Sequence, residues 1–211
     1  MIVTAAHSRR RLASWALYDW ANSAFATTVM AAFFPVFFKE YWNSGVPVEH
    51  SSMRLGTTSA VASVAVAVVA PLLGAIADRG RTRKPFLLAF TLLGVATTAA
   101  LYWVGPGHWL AAAVLFGLGS VAFGGGIVFY DSLLVSVAAP GREDSTSALG
   151  YALGYLGGGL LFAANVAMVL SPQTFGLADQ GAAVRVAFVS AAAWWLVFAV
   201  PLFLFVPEPG G

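Results

Sequence analysis

The stretch ALYDWANSAFATTV, Ala16 to Val29, opens the first long apolar block of the chain and carries Asp19 and Asn22 inside it. Apolar sequence continues beyond it to Phe38, which makes the block long enough to cross a bilayer as one helix. A basic start at Arg9, Arg10 and Arg11 followed by apolar sequence has the outline of a secretory leader. Asp19, Asn22 and Ser23 interrupt that would-be apolar region, so the segment is expected to be retained as a membrane span.

The rest of the chain repeats the pattern. Of 211 residues, 59% are hydrophobic and 9% charged, against roughly 45–50% and about 25% in soluble domains. Such a chain cannot cover a soluble core with polar surface. Six apolar blocks, at approximately 14–38, 55–77, 85–104, 109–138, 146–170 and 186–206, approach or exceed the about 20 residues a bilayer crossing takes. The predicted architecture is all-α and polytopic. It has a cytoplasmic tail over residues 1–13, a six-helix transmembrane bundle over 14–206, and the start of a cytoplasmic linker over 207–211.

The basic residues sort by loop. Arg9, Arg10 and Arg11 precede the first span, Arg79, Arg81, Arg83 and Lys84 follow the second, and Arg142 follows the fourth; the other side receives Lys39, Arg54 and Arg185. Eight against three predicts a cytoplasmic N-terminus, and an even number of spans returns the C-terminus to that side. Charges distributed in this way leave no basic patch for nucleic acid. Cysteine is absent and His7, His50 and His108 stand apart, so no metal site is predicted. No phosphate loop, clustered histidine or Ser-His pairing appears, so neither a cofactor nor an enzymatic activity is expected.

Spacing then bears on function. On a helix Asp19, Asn22, Ser23 and Ala26 fall at i, i+3, i+4 and i+7 and share a face, while Trp15, Phe25, Val29 and Phe33 mostly point elsewhere. A carboxylate facing lipid is expensive, so this stripe is expected to face other helices or a hydrated cavity. The alternative leaves Asp19 at the membrane interface as a helix N-terminal charge. A second Tyr-Asp pair, Tyr130 and Asp131 in IVFYDSLLVSVA, lies late in the fourth span, which runs opposite to the first. Both carboxylates therefore fall on the cytoplasmic side, about 8–12 Å from the helix ends at 1.5 Å per residue. They are candidates for an inner vestibule; interfacial placement is the alternative for Asp131 also.

In GYALGYLGGGLL, Gly150, Gly154 and Gly158 recur at i, i+4 and i+8, the small-residue spacing that lets membrane helices approach closely. Asn165 continues that face and is a candidate for a cross-helix hydrogen bond or a solute contact. Tyr151 and Tyr155 form a neighbouring face, read as packing.

The second loop, GAIADRGRTRKPFL from Gly74 to Leu87, resembles the signature loop of the major facilitator superfamily. Gly74, Ala77, Asp78, Arg79, Arg83 and Lys84 match its pattern. The glycine usual three residues past the aspartate is replaced by Arg81, with Gly80 one position earlier. Together with SWALYDWANSAFATTV and SALGYALGYLGGGLL, the chain looks like the vacuole-effluxer-like (autophagy-related permease) branch of that superfamily. The resemblance implies the N-terminal six-helix half of a secondary transporter, built from two three-helix inverted repeats. It implies a gating role for Gly74, Asp78, Arg79, Arg83 and Lys84, with Asp78 and Arg79 holding the cytoplasmic face closed.

It also implies solute movement by alternating access at a site between two halves, with amino acids or related metabolites as the solute class. Substrate or coupling-ion contact is expected at Asp19 and Asp131, with Asn22, Tyr130 and Asn165 as polar lining. A lone half leaves three explanations: a fragment, a half-transporter that dimerises, or a half that pairs with a separate chain. The fragment is the expectation, because the Asp78–Arg79 switch would otherwise lack its opposing helices. The rival reading is a structural or assembly membrane protein, which predicts that neutralising Asp19 and Asp131 changes nothing.

Overall fold

A computed structural model describes residues 2–78 and 82–208. Among these, six helices are long and apolar enough to cross a membrane, the number in one half of a major-facilitator fold, and there are no strands.

Helix α1 starts at Ile2, well ahead of the apolar block that opens at residue 14, and runs unbroken to Trp42. Ile2–Ala24 is α-helical, Phe25–Phe33 π-helical, Phe34–Phe37 α-helical and Phe38–Trp42 π-helical again. The wide turns flank Pro35. Proline has no N–H to donate and its ring crowds the preceding turn. The neighbouring Phe34 N–H accordingly reaches the Val29 carbonyl, five residues back.

The other helices are α2 (Val48–Asp78), α3 (Arg83–Ala100, tightening over Leu101–Trp103), α4 (Trp109–Ser132), α5 (Glu143–Leu170) and α6 (Gln180–Phe205). Asp179 caps α6, its carboxylate accepting from the Ala182 N–H at 2.7 Å. Gly141 and Gly176 turn the chain before and after α5 at φ of 76° and 72°, a region that favours glycine.

The main packing pairs are α1 with α5 and α6, α4 with α2 and α3, and α3 with α6. Exchanging α1 with α4, α2 with α5 and α3 with α6 interchanges the first two pairs with the next two and maps α3 with α6 onto itself. Because successive spans alternate in direction, the exchanged helices run oppositely. The pairing therefore has the pattern of two inverted three-helix repeats. α2 is the least buried span, with α5 next, and the two flank the bundle.

The ends of the bundle are held by different chemistry. At one end Phe34 stacks on Phe116 at 3.9 Å between centroids and Trp42 on Phe188 at 5.9 Å, while Trp42 Nε1 donates to the Val104 carbonyl at 3.1 Å. At the other end two cations satisfy helix C-terminal carbonyls. Arg83 donates to Ala77 O of α2 (2.8 Å) and Ser132 O of α4 (3.0 Å). Lys84 Nζ donates to Phe203 O (2.7 Å) and Val206 O (2.8 Å) at the end of α6. The Lys84 backbone N–H, in the first turn of α3, donates to Glu208 at 2.7 Å.

Candidate solute site

The charged end of the bundle holds the site, where α1, α4 and α5 meet. Asp19 of α1 and Asp131 of α4 line one small recess, with Trp15, Ile127, Tyr130, Ser147 and Tyr151. Asp19 is half-buried and Asp131 exposed. Among the lining residues there is no lysine or arginine.

An aromatic wall stands behind the carboxylates. Trp15 stacks on Tyr130 at 4.6 Å and 9°, and Tyr18 lies over Tyr130 at 5.1 Å and 26°. Trp15 Nε1 donates to the Tyr130 carbonyl at 3.2 Å, and the Tyr18 hydroxyl pairs with Thr91 Oγ1 at 2.8 Å. Tyr130 is 4% exposed, yet its hydroxyl has no hydrogen-bond partner among the described residues. Burying such a group without a partner costs about 1–3 kcal/mol unless something else satisfies it.

The glycine row of α5 brings that helix against α1. A Cβ at Gly150 would meet the Trp15 ring at 2.9 Å and the Tyr130 hydroxyl at 3.1 Å. At Gly154 it would meet Ser23 Oγ at 2.7 Å and Asp19 Cγ at 3.1 Å, and at Gly158 the Ser23 carbonyl at 2.9 Å. Only residues without a side chain leave room here for the Asp19 carboxyl and the α1 backbone. Thr27 Oγ1 adds a bond to Gly158 O at 3.2 Å.

The expected polar residues therefore fall in three places. Asp19, Tyr130 and Asp131 come together. Asn22 is 2% exposed and off the recess, its Oδ1 without a partner among the described residues. Asn165 lies between α5 and α6, where its Oδ1 accepts from Ser190 Oγ at 3.0 Å. Trp15, set aside in the sequence as facing elsewhere, lines the recess one turn before Asp19, as the i, i+4 rule allows. Tyr151 also lines it, on the turn after Ser147, whereas Tyr155 is 78% exposed.

Of the loop residues, Gly74 is half-buried with open space beyond its Cα, and Asp78 is exposed at the end of α2. Arg83 and Lys84 are engaged at helix ends as described above. Arg79, expected to act with Asp78, lies outside the described residues, as does Arg81.

Two carboxylates beside an aromatic wall have the chemistry to attract a cation or to exchange a proton. The sequence comparisons bear on what such a site belongs to. A protein named as an uncharacterized MFS-type transporter, YxiO of Bacillus subtilis (strain 168), is 38% identical over 90% of this chain and 45% of its own length. Autophagy-related protein 22 of Yarrowia lipolytica (strain CLIB 122 / E 150) is 24% identical over 79% of this chain and 37% of its own length. The chain thus spans less than half the length of these curated relatives. The family described as vacuole effluxer Atg22 like matches residues 42–211. With that match covering most of the chain, and six membrane-length helices paired as described, the protein belongs to the Atg22-like vacuole effluxer family, a branch of the major-facilitator transporters.

Proposed function

We propose that this bundle moves a small solute across a membrane by alternating access, rocking against a second six-helix body across the recess. Amino acids or related metabolites are the solute class implied by the family resemblance. The observation that carries the reading is the convergence of Asp19 and Asp131, from two helices far apart in sequence, on one recess. Carboxylates at membrane depth are costly and mark substrate or ion pathways. Asp131 and Tyr151 are exposed in the isolated bundle, as a wall facing a second body would be. The second body is another copy or a further six helices. A coupling ion, where one is used, binds at the same carboxylates, and Asp78 with Arg79 closes the gate on the cytoplasmic side.

The test is uptake of a radiolabelled amino-acid and amine mixture by proteoliposomes containing the 211-residue protein. Asp19→Asn and Asp131→Asn each abolish uptake while insertion and thermal stability stay at wild-type levels. Uptake indifferent to both substitutions removes the carboxylates from the pathway and favours a structural role. Native mass spectrometry in nanodiscs reads the second body directly: a dimer identifies it as another copy, whereas a monomer active only with a partner chain identifies it as that chain.

A further inference from the structure

A groove apart from the recess runs between α2 and α4 and is lined by those two helices alone, from Met53 to Ala65 on one and from Trp109 to Val121 on the other. At 1.5 Å per residue it is about 18 Å long, close to the about 15 Å depth of one leaflet of the hydrocarbon core. Its walls are apolar and open, with Val61 64% and Leu110 60% exposed, and a Cβ on Gly117 would meet nothing within 4 Å. Arg54 is the one charged residue among those lining it, at the end of the bundle opposite the recess. The Arg54 guanidinium lies over the Trp109 ring at 4.2 Å, and its Nη1 donates to Asn43 Oδ1 at 2.7 Å. Asn43 is 1% exposed and donates in turn to the Phe38 carbonyl at 2.9 Å, so the cation is held in place at the mouth of the groove. A guanidinium carries five N–H donors, of which Nη1 accounts for two.

We propose that this groove holds an acyl chain of an anionic phospholipid whose phosphate meets Arg54. One cation at the membrane interface, where tryptophans such as Trp109 concentrate, above an apolar channel one leaflet deep, has the polarity pattern of such a lipid. The planar guanidinium matches phosphate oxygens, and Thr57, exposed on the next turn, offers a hydroxyl at the depth of the glycerol esters. No carboxylate lines the groove, so a headgroup ammonium finds no partner there and a net negative headgroup is favoured.

The groove lies outside the wall that a second body would cover. Around α4, at about 100° per residue, Ile127 of the recess is followed by Gly124, whose Cβ position meets Val66 of α2. Gly117 and Val121 of the groove come next, and then Gly125, whose Cβ position meets Phe90 of α3. The α2 helix thus stands between the recess and the groove, and a body seated across the recess leaves the groove to lipid.

The experiment is native mass spectrometry of the protein in mild detergent, titrated with dioleoylphosphatidylglycerol or dioleoylphosphatidylcholine. The first phosphatidylglycerol is expected to bind about tenfold more tightly than the first phosphatidylcholine. Arg54→Gln, which keeps an amide to donate to Asn43 and removes the charge, abolishes that preference. Gly117→Leu fills the groove and weakens binding of both lipids severalfold without touching Arg54. Arg142→Gln, at the recess end of the bundle, leaves both affinities unchanged and so separates this groove from the cations of that end. Equal binding of the two lipids by the wild type, a preference that survives Arg54→Gln, binding unchanged in Gly117→Leu, or a preference lost in Arg142→Gln overturns the assignment. A dimer that Gly117→Leu disperses also overturns it, by placing a second copy in the groove. The transport reading rests on the recess and stands or falls separately.

Discussion

Arg83 and Lys84 are adjacent in sequence and serve different helix ends. The planar guanidinium of Arg83 reaches Ala77 O and Ser132 O together, tying the last turn of α2 to that of α4. Lysine at that position replaces a rigid fork, whose Nε reaches Ala77 O and Nη1 reaches Ser132 O, by a single nitrogen on a flexible stem. Arg83→Lys is therefore expected to cost about 1 kcal/mol and Arg83→Ala about 1–3 kcal/mol, as hydrogen bonds to a charged group are lost. Denaturant unfolding in detergent reads both, and equal stability of all three proteins would show that the contact carries no weight. In the sequence these cations were legible as charge that sets topology and, by resemblance, as residues of the gating loop, not as partners of helix ends. Their partners come from the ends of helices dozens of residues away, and nothing local in the chain announces them.

At the scale of elements, the α1–α5 contact separates glycines that look alike in the sequence. A Cβ at Gly158 would sit 2.9 Å from the Ser23 carbonyl, a backbone atom that cannot rotate away, while a Cβ at Gly159 would meet nothing within 4 Å. Gly158→Ala must push the helices apart and is expected to destabilise by about 1–3 kcal/mol. Gly159→Ala meets open space and, through helix propensity, is neutral or stabilising by up to about 1 kcal/mol. Opposite signs for neighbouring, chemically identical changes are the test, read as thermal unfolding midpoints in one detergent; a matching loss at both positions would refute close packing as the cause.

The i, i+4 glycine row was readable because small residues at helical spacing have few uses in a membrane helix other than close approach. The π-helical turns of α1 were not, since the apolar pattern around Pro35 fits an ordinary helix equally well. Asn22 shows the same limit. Its spacing from Asp19 puts it near that face, but one turn earlier Tyr18 faces Thr91 of α3, and Asn22 is buried away from the recess.

For the whole molecule, the orientation in the membrane decides what the recess can do. Six spans followed from composition and bilayer thickness alone, because each apolar block needs one crossing. The sidedness rests on eight basic residues against three. The end bearing the recess is also the end where Arg83, Lys84 and Glu208 bind the helix termini. The rule predicts that the acidic recess lies on the cytoplasmic side.

The chain has no cysteine, so a single introduced thiol reports unambiguously. Ser145 is exposed at the start of α5 and Thr174 is exposed between α5 and α6, on opposite sides of one span. In intact cells an impermeant maleimide is expected to label Thr174→Cys at once and Ser145→Cys only after the membrane is permeabilised. The reverse pattern would place both termini outside and turn the two carboxylates toward the outer face. Asp78 and its loop would then lie on the wrong side to hold a cytoplasmic gate, and the recess would meet its solute first from outside.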